Sequence, residues 1–346
     1  IVYVSHKEGV MIVDVVVGLQ HGDEAKGKIT HQLCRNYDYD YVLRFNGGGN
    51  AGHTIYHNGQ KFITHYIPAG VFHNVTSILG NGCVVNPQHF LQEMQELSDA
   101  GIDTSLVRIA ANCHVITDEH LEEDSRDTKI GTTKRGTGPA YRDKYNRTGL
   151  RAKDIAELQP YIVDLYEVFH SQRDVQILCE GAQGFELDVD WGDYPYVTSS
   201  HTTSASALLN GIPPQAIRHV WGVAKVYDTY VGTKSFEPDD DVFKNMREVG
   251  EEYGATTGRP RQCNWLNLDN LIKSLAINGV THLVFNKTDV LEKLEEYRLI
   301  YNDEVLNFNN LVEMQHFISV HTPSPVYSRI KRVLYSGDKK GLDIAA

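Results

Sequence analysis

The sequence predicts an α/β fold: a largely parallel central sheet with helices on both faces. Three observations predict it. Apolar, β-branched runs alternate with segments of helical spacing, as strand–helix–strand units require. The runs are continuously apolar, as in strands buried on both faces. Glycine-rich loops carrying polar residues follow several of these runs, and such sheets bind ligands at the carboxyl ends of their strands.

The first run, residues 11–17, is Met-Ile-Val-Asp-Val-Val-Val. A glycine-rich turn follows, then a helix expected over 29–36. Strands are expected over 41–45, 62–67, 77–79, 107–116, 175–179, 220–226, 282–285 and 332–335. Helical spacing marks 86–99, where Phe90, Leu91, Met94 and Leu97 share a face, and 266–276. Residues 152–170 are expected to be helical, with Pro160 ending or kinking part of the run, and 204–209 forms a helix closed by Gly211 and two prolines. There is no internal repeat. Residues 1–10 are short and polar and read as a leader or expression remnant; residues 11–346 read as a single domain.

The chain has 346 residues and a net charge of −12, which speaks against a long groove for nucleic-acid polymer. Its five cysteines are scattered without a Cys-x-x-Cys pair, which fits a reducing cytoplasm, or a host's cytoplasm for a viral protein. No run is long enough to span a membrane.

The chemistry concentrates in loops. From Gly22, the turn after the first strand fits G-x-x-x-x-G-K, with Lys26, Gly27 and Lys28 leading into the helix. Ile29 stands where a P-loop places the hydroxyl that holds Mg²⁺, so another oxygen ligand is required. Asp23 and Glu24 sit inside the loop, where a carboxylate needs a metal ion or a substrate proton to offset repulsion by phosphate. Asn50-Ala51-Gly52-His53-Thr54 offers His53, able to exchange a proton near neutrality. Residues 130–141 are rich in glycine and threonine, and Arg142, Lys144, Arg147 and Arg151 follow closely, a local basic density that suits a phosphomonoester. Gln183, after a buried strand, can read a purine edge, and Thr198 lies in a hydroxyl-rich stretch. Arg259 and Arg261 present forks that match carboxylates. Asn286-Lys287-Thr288-Asp289 has the N-K-x-D pattern that suits guanine, and Ser336-Gly337 could close that pocket.

Taken in this order, the loops resemble those of the adenylosuccinate synthetase family. The resemblance is carried by Gly22-Asp23-Glu24-x-Lys26-Gly27-Lys28, Asn50-Ala51-Gly52-His53-Thr54, Ile130-Gly131-Thr132-Thr133 and Gly138-Pro139-Ala140-Tyr141. It continues through Glu180-Gly181-x-Gln183-Gly184, Tyr194-Pro195-Tyr196-Val197-Thr198-Ser199 and Thr256-Thr257-Gly258-Arg259. The chain is similar to the short form seen in some archaea and viruses. The resemblance implies a P-loop-like ligase that condenses L-aspartate with IMP at the expense of GTP, through a 6-phosphoryl intermediate.

By the same resemblance Asp23 takes the N1 proton of the purine, while His53, Lys26 and Gln183 complete the catalytic set. Mg²⁺ is held by Asp23 and Gly52. Asn50, Thr133, Arg147, Gln183, Thr198 and Arg259 hold the nucleotide, with Arg147 reaching it from the second subunit of a homodimer. Thr256, Thr257, Arg259 and Arg261 hold aspartate. Gly22, Glu24, Ala25, Lys26, Gly27, Lys28, Thr54, Lys287, Asp289, Ser336 and Gly337 hold the triphosphate.

The chain departs from the family pattern at Ala25 and Lys134, where glycine is usual, and at Tyr230, where arginine is. Pro260 and Gln262 interrupt an arginine run, Asn264 replaces a glycine, and residues 234–237 replace a proline-rich segment. Some viral relatives join aspartate to dGMP, and many of those carry serine at the P-loop aspartate. Asp23 therefore favours IMP, with (d)GMP as acceptor and ATP or dATP as donor the alternative. A regulatory nucleotide switch is the more distant reading.

Overall fold

The computed structural model describes residues 9–171, 174–255 and 258–337. Nine strands form one all-parallel sheet. Its spatial order is Arg332–Ser336, His282–Asn286, Ile217–Lys225, Met11–Gly18, Val175–Glu180, Tyr41–Arg44, Thr76–Leu79, Val107–Ala110 and Ile162–Val163. The first strand lies near the middle, flanked by Val175–Glu180 and Ile217–Lys225. Chain order therefore reverses around it, which is where a doubly wound sheet opens a crevice at its carboxyl edge. Val13, Val15, Val16 and Val17 are fully buried, with Val13, Val15 and Val17 in one core cluster and Val16 in another. The strand is thus covered on both faces, as its unbroken apolar run requires.

A second sheet orders Tyr227–Tyr230, Gln262–Asn267, Arg298–Tyr301 and Glu304–Asn307, with its outer pairs antiparallel. The hairpin His53–His57 with Gln60–Thr64 stands apart. No helix of the described residues is long and apolar enough to cross a membrane.

Five expected elements differ. Residues 152–170 are not one helix: two 3₁₀ turns, Ala152–Asp154 and Ala156–Tyr161, precede the edge strand Ile162–Val163, and only Leu165–His170 is α-helical. Pro160 lacks a donor, β-branched Ile162 and Val163 favour extension, and Asp164 caps a fresh start by accepting from Tyr166 N at 2.8 Å. Residues 204–209 form a 3₁₀ helix, Ser204–Asn210, ended by Gly211 in the left-handed region. The extended run at 62–67 stops pairing at Thr64, because the buried Glu93 carboxylate takes the N–H groups of His65, Tyr66 and Ile67. Residues 107–116 split into Val107–Ala110 and His114–Val115, in different sheets. The helix expected from 266 begins at Leu268, after the side chain of Asn267 accepts from Asn270 N at 3.0 Å.

Candidate active site

One cavity of about 1130 Å³ opens at the carboxyl edge of the main sheet. It exceeds the roughly 300–1,000 Å³ of a typical single-ligand pocket. The loops after Met11–Gly18, Tyr41–Arg44, Val175–Glu180 and His282–Asn286 all reach it, and so do segments around residues 130–139, 196–199, 230–232 and 251–261.

The phosphate-type loop is folded by its own glutamate. Glu24 is fully buried, and its Oε1 accepts from Gln20 N at 3.1 Å and Gly22 N at 2.9 Å. Its Oε2 meets Lys26 Nζ at 2.6 Å. The Glu24 side chain therefore faces inward and braces the loop rather than lining the cavity. Gly22, Asp23 and Ala25 have φ of 88°, 60° and 75°, so the chain crosses the left-handed region repeatedly before helix Lys26–Asn36. This conformation turns successive backbone N–H groups toward a ligand. Gly27 and Lys28 line the cavity with Lys26, while Lys28 Nζ also donates to Ser336 Oγ at 2.8 Å. Ser336 is thereby turned inward rather than into the cavity.

His53 starts its hairpin beside that helix. Its Nδ1 donates to Glu180 Oε1 in a short hydrogen bond, and Arg44 Nη2 donates to the same oxygen at 2.7 Å. Ala69 N donates to Glu180 Oε2 at 2.8 Å. Burial alone would raise the Glu180 carboxyl; Arg44 and His53 outweigh it and hold it down at about 2. Burial and the Arg44 charge push His53 down to about 4, against the pull of Glu180. The imidazole is thus neutral at pH 7, with its proton on Nδ1. Its Nε2 is buried without a partner, and the residue lines the cavity.

At the neighbouring wall Asp23 is 29 % exposed, and its Oδ2 lies 2.9 Å from Arg261 Nε. Arg261 also meets the buried Glu252 at 2.5 Å. Burial opposes the charge on Arg261, but Asp23 and Glu252 together raise its pKa. Arg259 donates to the carbonyls of Gly131 and Thr132 at 3.1 to 3.3 Å, which ties its loop to Thr133. Asn50 Oδ1 accepts from Gln183 Nε2 at 3.0 Å, and Thr198 completes that side.

At the far end Asp289 Oδ1 is buried without a partner, whereas Oδ2 meets Lys293 at 3.0 Å. A Cβ on Gly337 would come 2.9 Å from the Asp289 Cβ, so the glycine closes directly on it. Lys287 donates to Gly250 O at 2.5 Å. Gly52 and Thr54 line the cavity as well.

Not every expected residue converges. Thr256 and Thr257 lie outside the described residues. The basic run after residue 141 does not reach this cavity. Arg142 pairs with Glu123 and Asp143, and Lys144 and Arg151 line a separate cavity of about 380 Å³. Arg147 caps helix Thr137–Asn146 at φ 66°, exposed and away from the main cavity. Glu180 and Arg44 are what sequence reading missed. The available signal was that each is a charged residue ending a buried parallel strand, next to a functional loop.

An all-parallel sheet, an anion-binding turn before a helix, a histidine held by a carboxylate and an acidic N-K-x-D strand end together define a nucleotide-dependent enzyme of the P-loop-like α/β class. The adenylosuccinate synthetase family model matches residues 15–158 and 155–330. Adenylosuccinate synthetases of Lysinibacillus sphaericus and Chlorobium chlorochromatii are 38 % and 40 % identical, with 82 % of this chain covered in each case and 79 % and 78 % of theirs. The chain belongs to the adenylosuccinate synthetase family, whose members are ligases that form a C–N bond between aspartate and IMP. The fully ligated enzyme of Plasmodium falciparum superposes with a TM-score of 0.75 at 33 % identity, over 86 % of this chain and 83 % of that one. Succinoaminodeoxyadenylate synthetase of cyanophage S-2L, bound to dGMP and dATP, shares the fold at 20 % identity and a TM-score of 0.68, over 91 % and 100 %.

Proposed function

We propose that Asp23 is the general base of a GTP-driven ligation of L-aspartate to IMP, and that His53 acts on the phosphoryl group in transit. The observation that carries this reading is the convergence of Asp23, His53 with its unpartnered Nε2, and the phosphate-type loop on one cavity. The oxygen of a neutral 6-oxopurine is a poor nucleophile. When Asp23 takes the N1 proton, charge moves to O6, which can then attack the γ-phosphorus as its bond to the β–γ bridging oxygen breaks and GDP leaves. Phosphorylated O6 becomes a leaving group, and the aspartate amine displaces it at C6. His53 takes up a proton as the polyphosphate enters, because an anion beside Nε2 reverses the balance that keeps the ring neutral. It then donates from Nε2 to the transferring group, while Glu180 holds the ring by Nδ1. Lys26 and the backbone N–H groups offset charge as phosphoryl transfer requires.

Asp23 and Gly52 offer hard oxygens on the same wall, a donor set that fits Mg²⁺ and resolves the missing hydroxyl at Ile29. When bound, Mg²⁺ neutralises phosphate charge. Asn50, Thr133, Gln183 and Thr198 would hold the acceptor nucleotide. Arg259 and Arg261, with Thr256 and Thr257, would hold aspartate. Lys287, the free Oδ1 of Asp289 and Gly337 would hold the donor base. The exposed Arg147 fits a residue that completes a partner's site, so the active form would be a homodimer, working in the cytoplasm. A switch protein has no use for carboxylate-binding arginines beside its polyphosphate loop.

The test is mass analysis after incubation with Mg²⁺, aspartate, GTP or ATP, and either IMP or dGMP. Adduct from IMP with GTP is expected, and adduct from dGMP alone would overturn the acceptor assignment. Asp23→Asn should lower kcat by roughly 10²–10⁴-fold, the span of general-base contributions; near-native turnover would remove Asp23 from the chemistry.

A further inference from the structure

We propose that His31, His57 and His73 form a site for one borderline transition-metal ion of the zinc class, on the side of helix Lys26–Asn36 away from the substrates. One ring nitrogen from each residue lies within 4.8 Å of the others. His31 Nε2 and His57 Nδ1 are 3.2 Å apart. Two imidazoles on a tetrahedral ion at about 2.0–2.1 Å place their nitrogens about 3.3 Å apart. His73 Nε2 is buried without a hydrogen-bond partner, so it is open to a ligand. Without an ion His31 Nε2 and His57 Nδ1 share one proton in their 3.2 Å contact. An amide can accept as well as donate, so Asn58, 3.1 Å from His57 Nε2, can hold the His57 proton there and leave the two facing nitrogens to a metal once the shared proton is lost.

The surroundings suit an ion that favours nitrogen. The His31 and His73 rings have centroids 4.4 Å apart, and Phe72 backs the group at 5.4 Å from His57. Among the described residues no carboxylate joins the cluster, which disfavours magnesium or calcium and suits zinc, cobalt, nickel or copper. His57 and His73 are half-buried, which leaves a route in and a fourth position for water.

The three ligands come from three pieces that build the active site. His31 lies on the helix that carries Lys26 and Lys28, and His57 ends the strand that His53 begins. His73 ends the turn whose first residue, Ala69, donates to Glu180. Helix and hairpin already touch so closely that a Cβ on Gly27 would come 2.8 Å from the His53 Cβ. An ion at this point fastens that contact and holds His53 in position.

The test is titration of the metal-free full-length chain with Co²⁺ and with Zn²⁺, without nucleotide. One equivalent of Co²⁺ should produce intense visible bands of tetrahedral cobalt that Zn²⁺ bleaches, and Zn²⁺ should raise Tm. His57→Gln and His73→Gln, both at half-exposed positions, should each weaken binding at least about tenfold. His316→Gln on the exposed surface, and Asp23→Asn at the polyphosphate wall, should keep both signals. No cobalt bands in the wild type, bands that persist in both glutamine variants, or bands lost in Asp23→Asn would each overturn the assignment.

Discussion

The two ends of the main cavity are prepared to different degrees. At the phosphate end the protein's charges are already matched with one another. Glu24 is spent on its own loop and on Lys26, and Glu180 is spent on Arg44 and His53. What remains to meet a ligand is the loop backbone, Lys28 and His53, whose Nε2 has no partner. At the amino-acid end the arginines are occupied by the protein itself: Arg261 by Asp23 and Glu252, Arg259 by two carbonyls. On the proposed assignment the difference teaches that phosphoryl transfer meets a finished scaffold, whereas aspartate must win its ligands. Asp23 joins the two ends. On the proposed mechanism it becomes neutral when it takes the purine proton, its hold on Arg261 weakens, and the amino-acid end is released after the first step has begun.

The largest effect should come from the finished end. On the proposed mechanism His53→Asn removes the imidazole that acts on the transferring group and should lower kcat by roughly 10²–10³-fold, as loss of a preorganised donor does. The KM values should stay within a few-fold in steady-state assays. A KM effect with kcat intact would mean that His53 binds rather than acts, and the comparison would fail at its stronger side. Arg261→Lys tests the other end. A charge-assisted fork contributes about 1.5–3 kcal/mol, so the KM for aspartate should rise roughly 10- to 100-fold while that for IMP holds. Equal rises in both would show that Arg261 serves the whole cavity.

The finished end also carries a pH signature in stability. His53 sits at about 4 and His21 at about 3, both lowered mainly by burial from 6.5. Between pH 6.5 and 4 the unfolded chain binds protons there that the folded chain refuses, so stability falls as pH falls. Below 4.5, Glu180 and Glu252, each held at about 2 in the fold, extend the loss. Two carboxyls act with the opposite sign. Glu186, raised to about 7, and Asp228, raised to about 6, contribute stability below their unfolded values, and it is lost as pH rises through 6 to 7. Urea midpoints at pH 7.5, 5.5 and 4.5 should fall monotonically if the histidines dominate. A midpoint that is highest at pH 4.5 would put the two raised carboxyls in control.

The sheet and the cavity-lining loops were legible because they are local. Continuous apolar runs report burial on both faces, and a glycine-rich turn between strand and helix reports an anion site whatever surrounds it. Residues 152–170 were illegible because the periodic pattern did not reveal that Ile162–Val163 would be taken up as an edge strand. Glu24 could be seen to lie in the loop. Its inward turn could not, because it depends on where Gln20 and Gly22 direct their N–H groups. Several departures from the family pattern fall in one patch. Gln262 Oε1 accepts from Phe236 and Glu237 N, its Nε2 donates to the carbonyls of Gly232 and Lys234, and Asn264 Nδ2 donates to Phe236 O. Substitutions that look independent along the chain therefore support one another across it. At Tyr230 the ammonium of Lys234 lies over the ring at 5.2 Å, so a cation returns to a place where the family keeps arginine.

Two further departures give the finest test of how finished each end is. Ala25 and Lys134 replace glycines, yet their φ values are 75° and 57°. The backbone keeps a glycine-like shape with side chains attached, at a cost of about 1–2 kcal/mol per residue. Restoring glycine removes that strain but adds about 0.4–1 kcal/mol of unfolded-state entropy. Ala25→Gly and Lys134→Gly should each therefore stabilise by roughly 0.5–1 kcal/mol, the balance of those two effects, as read from urea midpoints. Activity should separate them. Ala25 lies in a loop braced by Glu24, so its kcat should hold. Lys134 lies beside Thr133, at the end of a segment held from its other side by Arg259 and by Asp127, which accepts from Ile130 N and Gly131 N, and a looser chain there should raise the KM for IMP about two- to threefold, under ~1 kcal/mol by affinity arithmetic. If Ala25→Gly instead lowered kcat, the phosphate loop would owe its shape to the methyl group, and Glu24 alone would not account for its rigidity.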